Sequence, residues 1–237
     1  MSKAKKSTLQ VRRFSMAFVI AHAVNAFAFF ALYVTALPMY TEFFDWLYPV
    51  LGGPENARLL HRIFAVLFMT PTFIWVIFDP KGFKRWLKEL VTWKKRDLEF
   101  FTEFVKELFG FKFKHVRQTF FNAGEKINSF IQIITALIVI GSGFTLWFPE
   151  LFPKFLVQWG YFLHNVGFGL AIAVVVGHIY LSVVHRHSSP GYSGVVTGKV
   201  PAWWAKGHYP DWYDEEVEKG NFPDIDHNGN PKGKKGA

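Results

Sequence analysis

The chain contains no cysteine in its 237 residues. Disulfides, thiolate-held iron–sulfur clusters, cysteine-ligated zinc and covalently attached c-type haem are therefore excluded. Any redox metal must be held by other side chains. No internal repeat of useful period appears. Carboxylates are scarce where they would matter most. The 18 Asp and Glu are outnumbered by 27 Lys and Arg, and none lies within the four longest apolar runs, residues 14–37, 58–78, 127–148 and 155–185.

What the chain has instead is apolar mass. It is 51% hydrophobic and 19% aromatic, with 28 Phe and 9 Trp, too apolar for a soluble domain of this length. Each of the four runs is long enough to cross about 30 Å of hydrocarbon. The first follows Arg12 and Arg13, has no small-residue cleavage signature and carries a histidine and an asparagine, so it is expected to be a retained helix rather than a signal peptide. Five Lys and Arg precede it, two lie in 37–62, twelve run from Lys81 to Lys126, only Lys154 falls between the last two runs, and seven follow from Arg186 onward. The bias of cations toward the cytoplasm predicts both termini and the connection 79–126 inside, with two short aromatic loops outside. That placement accounts for the formal charge of +9 without nucleic acid.

The expected fold is all-α: an integral membrane four-transmembrane-helix bundle over residues 1–187, with an amphipathic cytoplasmic connection and a cytoplasmic C-terminal tail, 188–237. In the connection, Leu98, Phe101, Val105 and Leu108 recur at helical spacing among Lys and Glu, as in a helix lying on a membrane surface or against a partner. The tail turns to Gly, Pro, Trp and charge, which suits packing at the headgroup level or under a soluble subunit. Its end resembles the start of a calcium loop through Asp224, Asp226, Asn228 and Gly229, but Lys235 stands where a bidentate Glu is needed. The calcium site is rejected and the end is expected to be disordered.

Four of the nine histidines fall well inside the runs, His22, His61, His164 and His178, while His185 marks the exit of the last. Ionisable residues in spans usually face the bundle interior, where they bind, relay or pair. His164 and His178 are fourteen residues apart, which puts them about 40° apart on one face and about 21 Å apart along the axis. With the topology above, His178 shares its depth with His22 near the inner surface, and His164 shares its depth with His61 near the outer one. Two such imidazole pairs are the ligand set of two six-coordinate b haems. Gly167, Gly169 and Gly177 beside the histidines would remove bulk where a porphyrin edge approaches. A proton-relay transporter would also use buried histidines, but it normally adds intramembrane carboxylates or broken helices. A pure membrane anchor has no use for four of them. His115, His185, His187, His208 and His227 fall in loops or at a helix exit and are expected to be solvated.

The sequence resembles the di-haem cytochrome b, or gamma, subunit of respiratory formate dehydrogenases. The resemblance is carried by HAVNAFAFFALYVTA, ARLLHRIFA, NAGEKI, the two histidines fourteen apart and GKVPAWWAKGHYPDWY. It implies that His61 and His164 bind a periplasmic-side haem and His22 and His178 a cytoplasmic-side haem. It also implies a quinone, menaquinone or ubiquinone, near Asn122, Gly124 and His178. Asn122 can hydrogen-bond a quinone carbonyl and Gly124 allows close approach, while the plain alternative has Asn122 capping the helix. The implied partners are an iron–sulfur (beta) subunit and a molybdenum or tungsten catalytic (alpha) subunit, with room for a higher oligomer of the complex. The implied location is the bacterial or archaeal cytoplasmic membrane. No formate-oxidising site is expected in this chain, so a membrane hydrogenase or another molybdenum enzyme would be an alternative partner. The connection between the second and third runs and the HRHSSPGYSG stretch depart from the family pattern on the cytoplasmic side.

Overall fold

In the computed structural model, the structure describes residues 9–227 and 231. The all-α membrane class expected from the sequence is what is seen. The principal helices are α1 (Met16–Tyr40), α2 (Pro54–Phe78), α3 (Pro80–Val91), α4 (Lys95–Leu108), α5 (Ala123–Trp147), α6 (Lys154–Ile179), α7 (Ala202–His208) and α8 (Pro210–Glu218). Of these, α1, α2, α5 and α6 are long and apolar enough to span a membrane, the last continuing through a π-helical turn to Val184. Two short strands, Gln10–Arg12 and Lys199–Pro201, pair as a small sheet. The rejected calcium loop, with Asn228, Gly229 and Lys235, and most of the end expected to be disordered lie outside the described residues.

Contacts divide the chain into two units. One comprises Arg12–Lys84 with Ser193–Lys199 and is dominated by α1 packed against α2. Ser15 caps α1, accepting from the Phe18 amide at 3.1 Å and donating to Asp79 Oδ2 at 2.6 Å. Pro71 sits inside α2 and has no N–H to give Leu67 O. The Thr70 hydroxyl donates to that carbonyl at 2.8 Å, so the helix crosses the proline without an orphaned acceptor.

The other unit holds α5 and α6 with most of the connection and the tail. A Cβ at Gly160 would stand 2.1 Å from Thr145 Oγ1 and one at Gly167 2.6 Å from Val139 Cγ1, so α6 approaches α5 through its glycines. The α5 helix starts at Ala123, earlier than the apolar run at 127, because Asn122 caps it: Asn122 Oδ1 accepts from the Glu125 amide at 2.8 Å while Glu125 Oε2 accepts from the Asn122 amide at 2.9 Å. This brings Lys126 into the first turn, where its ammonium is buried, donating to Thr92 O at 2.9 Å and to Asp97 Oδ2 of α4 at 3.2 Å.

From Val200 onward the tail falls in the same unit as α5, α6 and most of the connection. Val200, Ala202, Trp204, Tyr209, Trp212 and Tyr213 are all buried. Phe120 of the connection packs edge-on against Trp212, with ring centroids 5.5 Å apart. Ion pairs close the rim: Arg85 with Glu216 at 2.9 Å, Arg117 with Asp211 at 2.6 Å and with Asp214 at 3.0 Å, Arg96 with Asp211, and Lys206 with Asp214. Burial alone would raise the Asp211 and Asp214 carboxyls, but hydrogen bonds from these cations outweigh it and hold both below the usual carboxylate range. Burial, reinforced by Asp226 and Asp214, pushes the Tyr213 hydroxyl up to about 12.

Candidate functional site

His61 lies on α2 and faces the buried Thr35 of α1, with Thr35 Oγ1 3.0 Å from His61 Nδ1. The same arrangement recurs in the other unit, where the buried Ser142 of α5 places its Oγ 3.0 Å from Nδ1 of His164 on α6. In both cases the hydroxyl proton is already committed within its own helix. Thr35 donates to Ala31 O at 2.9 Å and Ser142 to Ile138 O at 2.6 Å. The hydroxyl oxygen is then left to accept, and Nδ1 must carry the hydrogen. The tautomer assigned in this way leaves Nε2 unprotonated and fixes the ring plane, as a metal-binding imidazole requires. Helical spacing predicts where the histidines sit but not these two hydroxyl partners. Their signal was there to read: a Thr and a Ser inside apolar runs.

The remaining two span histidines lie toward the opposite ends of their helices. His22 is six residues from the start of α1 at Met16, and His178 is six residues from the end of its apolar span at Val184. The Ser182 hydroxyl donates to His178 O at 2.7 Å, where α6 passes into its π-helical turn. π-Turns inside helices frequently mark functional positions. The glycines divide. Positions 169 and 177 are open, with nothing within 4 Å of an added Cβ, as a flat ligand would require. Gly167 is not: it is consumed by Val139 and serves helix packing instead of a porphyrin edge.

At the start of α5, Asn122 Nδ2 donates to the Tyr209 hydroxyl at 3.2 Å, and that hydroxyl donates to Glu125 Oε1 at 2.9 Å. Gly124 faces Phe100 of α4, whose ring would lie 3.5 Å from a Cβ there. The capping role of Asn122 is thus realised, and the tail residue Tyr209 joins the same network.

Four of the histidines expected to be solvated lie near one another, with His115 and His187 exposed and His185 and His208 half-buried. The His115 ring centroid is 5.8 Å from that of His208 and 6.5 Å from that of His187, and His187 is 5.9 Å from His185. Phe113 packs edge-on against both His115 and His187, and Glu107 Oε1 lies 3.6 Å from His187 Nδ1. These contacts join the connection, the end of α6 and the tail, and no local periodicity announces them.

Residues 13–193 match the family described as prokaryotic cytochrome b561. The chain belongs to that family. It is 29% identical over 208 residues to the formate dehydrogenase cytochrome b556(fdo) subunit of Escherichia coli (strain K12), covering 84% of this chain and 90% of that protein. It is 25% identical to the nitrate-inducible formate dehydrogenase cytochrome b556(Fdn) subunit of the same strain, over 84% and 87% of the two chains, and 25% identical to the formate dehydrogenase cytochrome b556 subunit of Haemophilus influenzae, over 84% and 80%. The chain is thus a multi-pass membrane cytochrome resembling formate dehydrogenase cytochrome b subunits, and its family implies haem b. The donor set fits that cofactor. Among the described residues no cluster of three or more His, Asp or Glu is arranged to hold a bare metal ion. The haem iron would be held by neutral imidazoles such as those of His61 and His164, whose tautomer and ring plane the two hydroxyls set.

Proposed function

We propose that this cytochrome is the membrane subunit of a formate dehydrogenase complex, carrying electrons from a periplasmic iron–sulfur subunit through two b haems to a membrane quinone. The observation that carries the reading is the recurrence of one device in both helix pairs: a buried hydroxyl, its own proton spent on a backbone carbonyl, holding Nδ1 of an outer-end histidine. His61 and His164 are the proposed ligands of the periplasmic-side iron, and His22 and His178 those of the cytoplasmic-side iron. Their positions along the helices support that division. Haem b supplies reversible one-electron transfer when bound. The chain's own contribution is to fix four imidazoles, exclude water from the apolar spans and offer polar groups where quinone chemistry needs protons.

The proposed quinone contacts are Asn122, Gly124 and His178. Asn122 spends its oxygen on the α5 cap and one amide hydrogen on Tyr209, which leaves a second amide hydrogen to donate to a quinone carbonyl. Glu125 and Tyr209 add a carboxylate and a phenol at the same end of α5. With both termini cytoplasmic, quinone reduction there takes its protons from the inside while formate is oxidised outside by a molybdenum or tungsten subunit. The test is spectroscopic. In the purified complex, formate should reduce the b haems and a quinone should reoxidise them. Fully haem-loaded protein that responds to neither sinks the proposal, and reduction by hydrogen but not formate reassigns the partner.

A further inference from the structure

The connection carries two amphipathic helices that the electron path does not use. Each is divided into three sectors rather than two. On α4, Asp97, Phe100 and Phe104 turn into the protein; at about 100° per residue, Leu98, Val105 and Phe109 share one exposed flank about 40° wide; Lys95, Glu99 and Thr102 follow on the far side. Leu98 is 69% exposed and Phe109 70%. On α3, Phe83, Trp86 and Leu90 turn inward, Leu87 and Val91 form the exposed apolar flank, and Lys81, Lys84 and Lys88 lie beside them. In both helices the exposed apolar flank therefore lies between the packed face and the polar one. A helix facing only water has no reason for that middle sector.

The charges are sorted in the same sense. Of the carboxylates between residues 80 and 114, only Glu99 is exposed. Glu89 accepts from the Thr119 hydroxyl at 2.6 Å, Asp97 holds the buried Lys126, Glu103 accepts from the Lys114 amide at 2.7 Å, and Glu107 faces His187. The cations are left outside, with Lys81, Lys84, Lys88, Lys94, Lys95 and Lys112 all exposed. Moreover, only Asp79 separates α3 from the membrane-length helix α2, so its apolar flank lies close to the end of a span.

We propose that α3 and α4 lie in the headgroup region of the membrane, their Leu87/Val91 and Leu98/Val105/Phe109 flanks in the acyl boundary and their lysines on anionic phospholipid. The occupant of this surface is lipid, not a soluble protein. The natural absence of cysteine makes a direct test available. Single variants Val91→Cys, Leu98→Cys, Val105→Cys and Glu99→Cys are made in the full chain and their haem spectra are checked to confirm folding. They are then spin-labelled in nanodiscs of phosphatidylcholine with phosphatidylglycerol, alone and in the assembled complex. Labels at 91, 98 and 105 should favour oxygen over a water-soluble nickel chelate several-fold, with the reverse at 99. Replacing phosphatidylglycerol by phosphatidylcholine should move them toward water, and Lys81→Gln/Lys84→Gln/Lys88→Gln should do the same at position 91. Nickel access at 98 and 105 overturns the proposal by placing the flank in water. Shielding from both reagents in the complex overturns it in favour of a protein partner, and indifference to lipid charge overturns the anionic headgroup assignment.

Discussion

The two membrane helix pairs reach the same histidine geometry with different packing. Between α5 and α6, contact is made through glycines at 160 and 167 whose missing Cβ atoms leave room for Thr145 and Val139. The α1 and α2 helices use buried Ala28 and Ala57 and carry prolines within both helices. Yet each pair places one buried hydroxyl 3.0 Å from a histidine Nδ1. What differs is packing and what recurs is the hydroxyl, so the hydroxyl is there for the histidine. The ends that carry His22 and His178 differ too. Asp79 closes the first pair through Ser15 and the Gly82 amide, the latter at 2.9 Å, in a half-exposed position. The start of α5 is instead anchored by the fully enclosed pair of Lys126 and Asp97.

The largest effect that sharpens this comparison is cofactor loss. His61→Ala and His164→Ala should abolish the same spectroscopic haem, while His22→Ala and His178→Ala abolish the other, as read by potentiometric titration. If His61→Ala and His164→Ala removed different haems, the depth pairing would be wrong. Next comes the contrast between the ends that carry His22 and His178. Asp97→Ala strands a buried ammonium and should cost about 3–5 kcal/mol, whereas Asp79→Ala removes partly solvated bonds worth about 1 kcal/mol. Thermal unfolding of the two variants in one detergent compares them, and equal losses would break the contrast.

A smaller effect is expected at the recurring hydroxyls. Thr35→Val and Ser142→Ala each remove an outer-shell partner of an imidazole and should weaken haem retention by roughly 10–100-fold, while Ser142→Thr should retain it. A loss confined to one of the two sites would end the equivalence of the pairs. The smallest effect is the pH dependence of the tail. Asp211 and Asp214 are depressed when folded, so their contribution is present above the unfolded value near 3.9 and fades as pH falls through the lower folded value. Tyr213 is raised when folded, so its contribution holds below about 10 and is lost as pH climbs toward about 12. Asp211→Asn/Asp214→Asn should flatten the acid limb only, and Tyr213→Phe the alkaline limb only, in unfolding curves across pH.

The parts legible in the sequence were those set by local period and length. Four apolar runs give four membrane helices because a stretch that long with so little charge has few other stable states. The fourteen-residue interval puts His164 and His178 on one face because helix geometry alone does so. The burial of the tail was not legible. Trp204, Tyr209, Trp212 and Tyr213 suit packing at the headgroup level or under a soluble subunit, and only the fold shows that Gln118, Arg96 and Arg117 from the connection meet the tail, through the Gln118 carbonyl on the Asp211 amide and the two guanidiniums on its carboxylate. The gathering of His115, His185, His187 and His208 was hidden for the same reason, since its members are brought together by tertiary contacts across up to 93 positions, as between His115 and His208. At Gly167 the residue type was read correctly and its use was not, because small residues serve both helix contact and ligand approach.

The most direct test of the central claim is haem quantitation by pyridine haemochrome on the intact, folded chain, read beside its dithionite-minus-oxidised spectrum. The account expects two b haems per chain, both low-spin with bis-imidazole ligation. A folded preparation containing one haem or none, despite an adequate haem supply, would contradict it and return the four histidines to packing or relay roles.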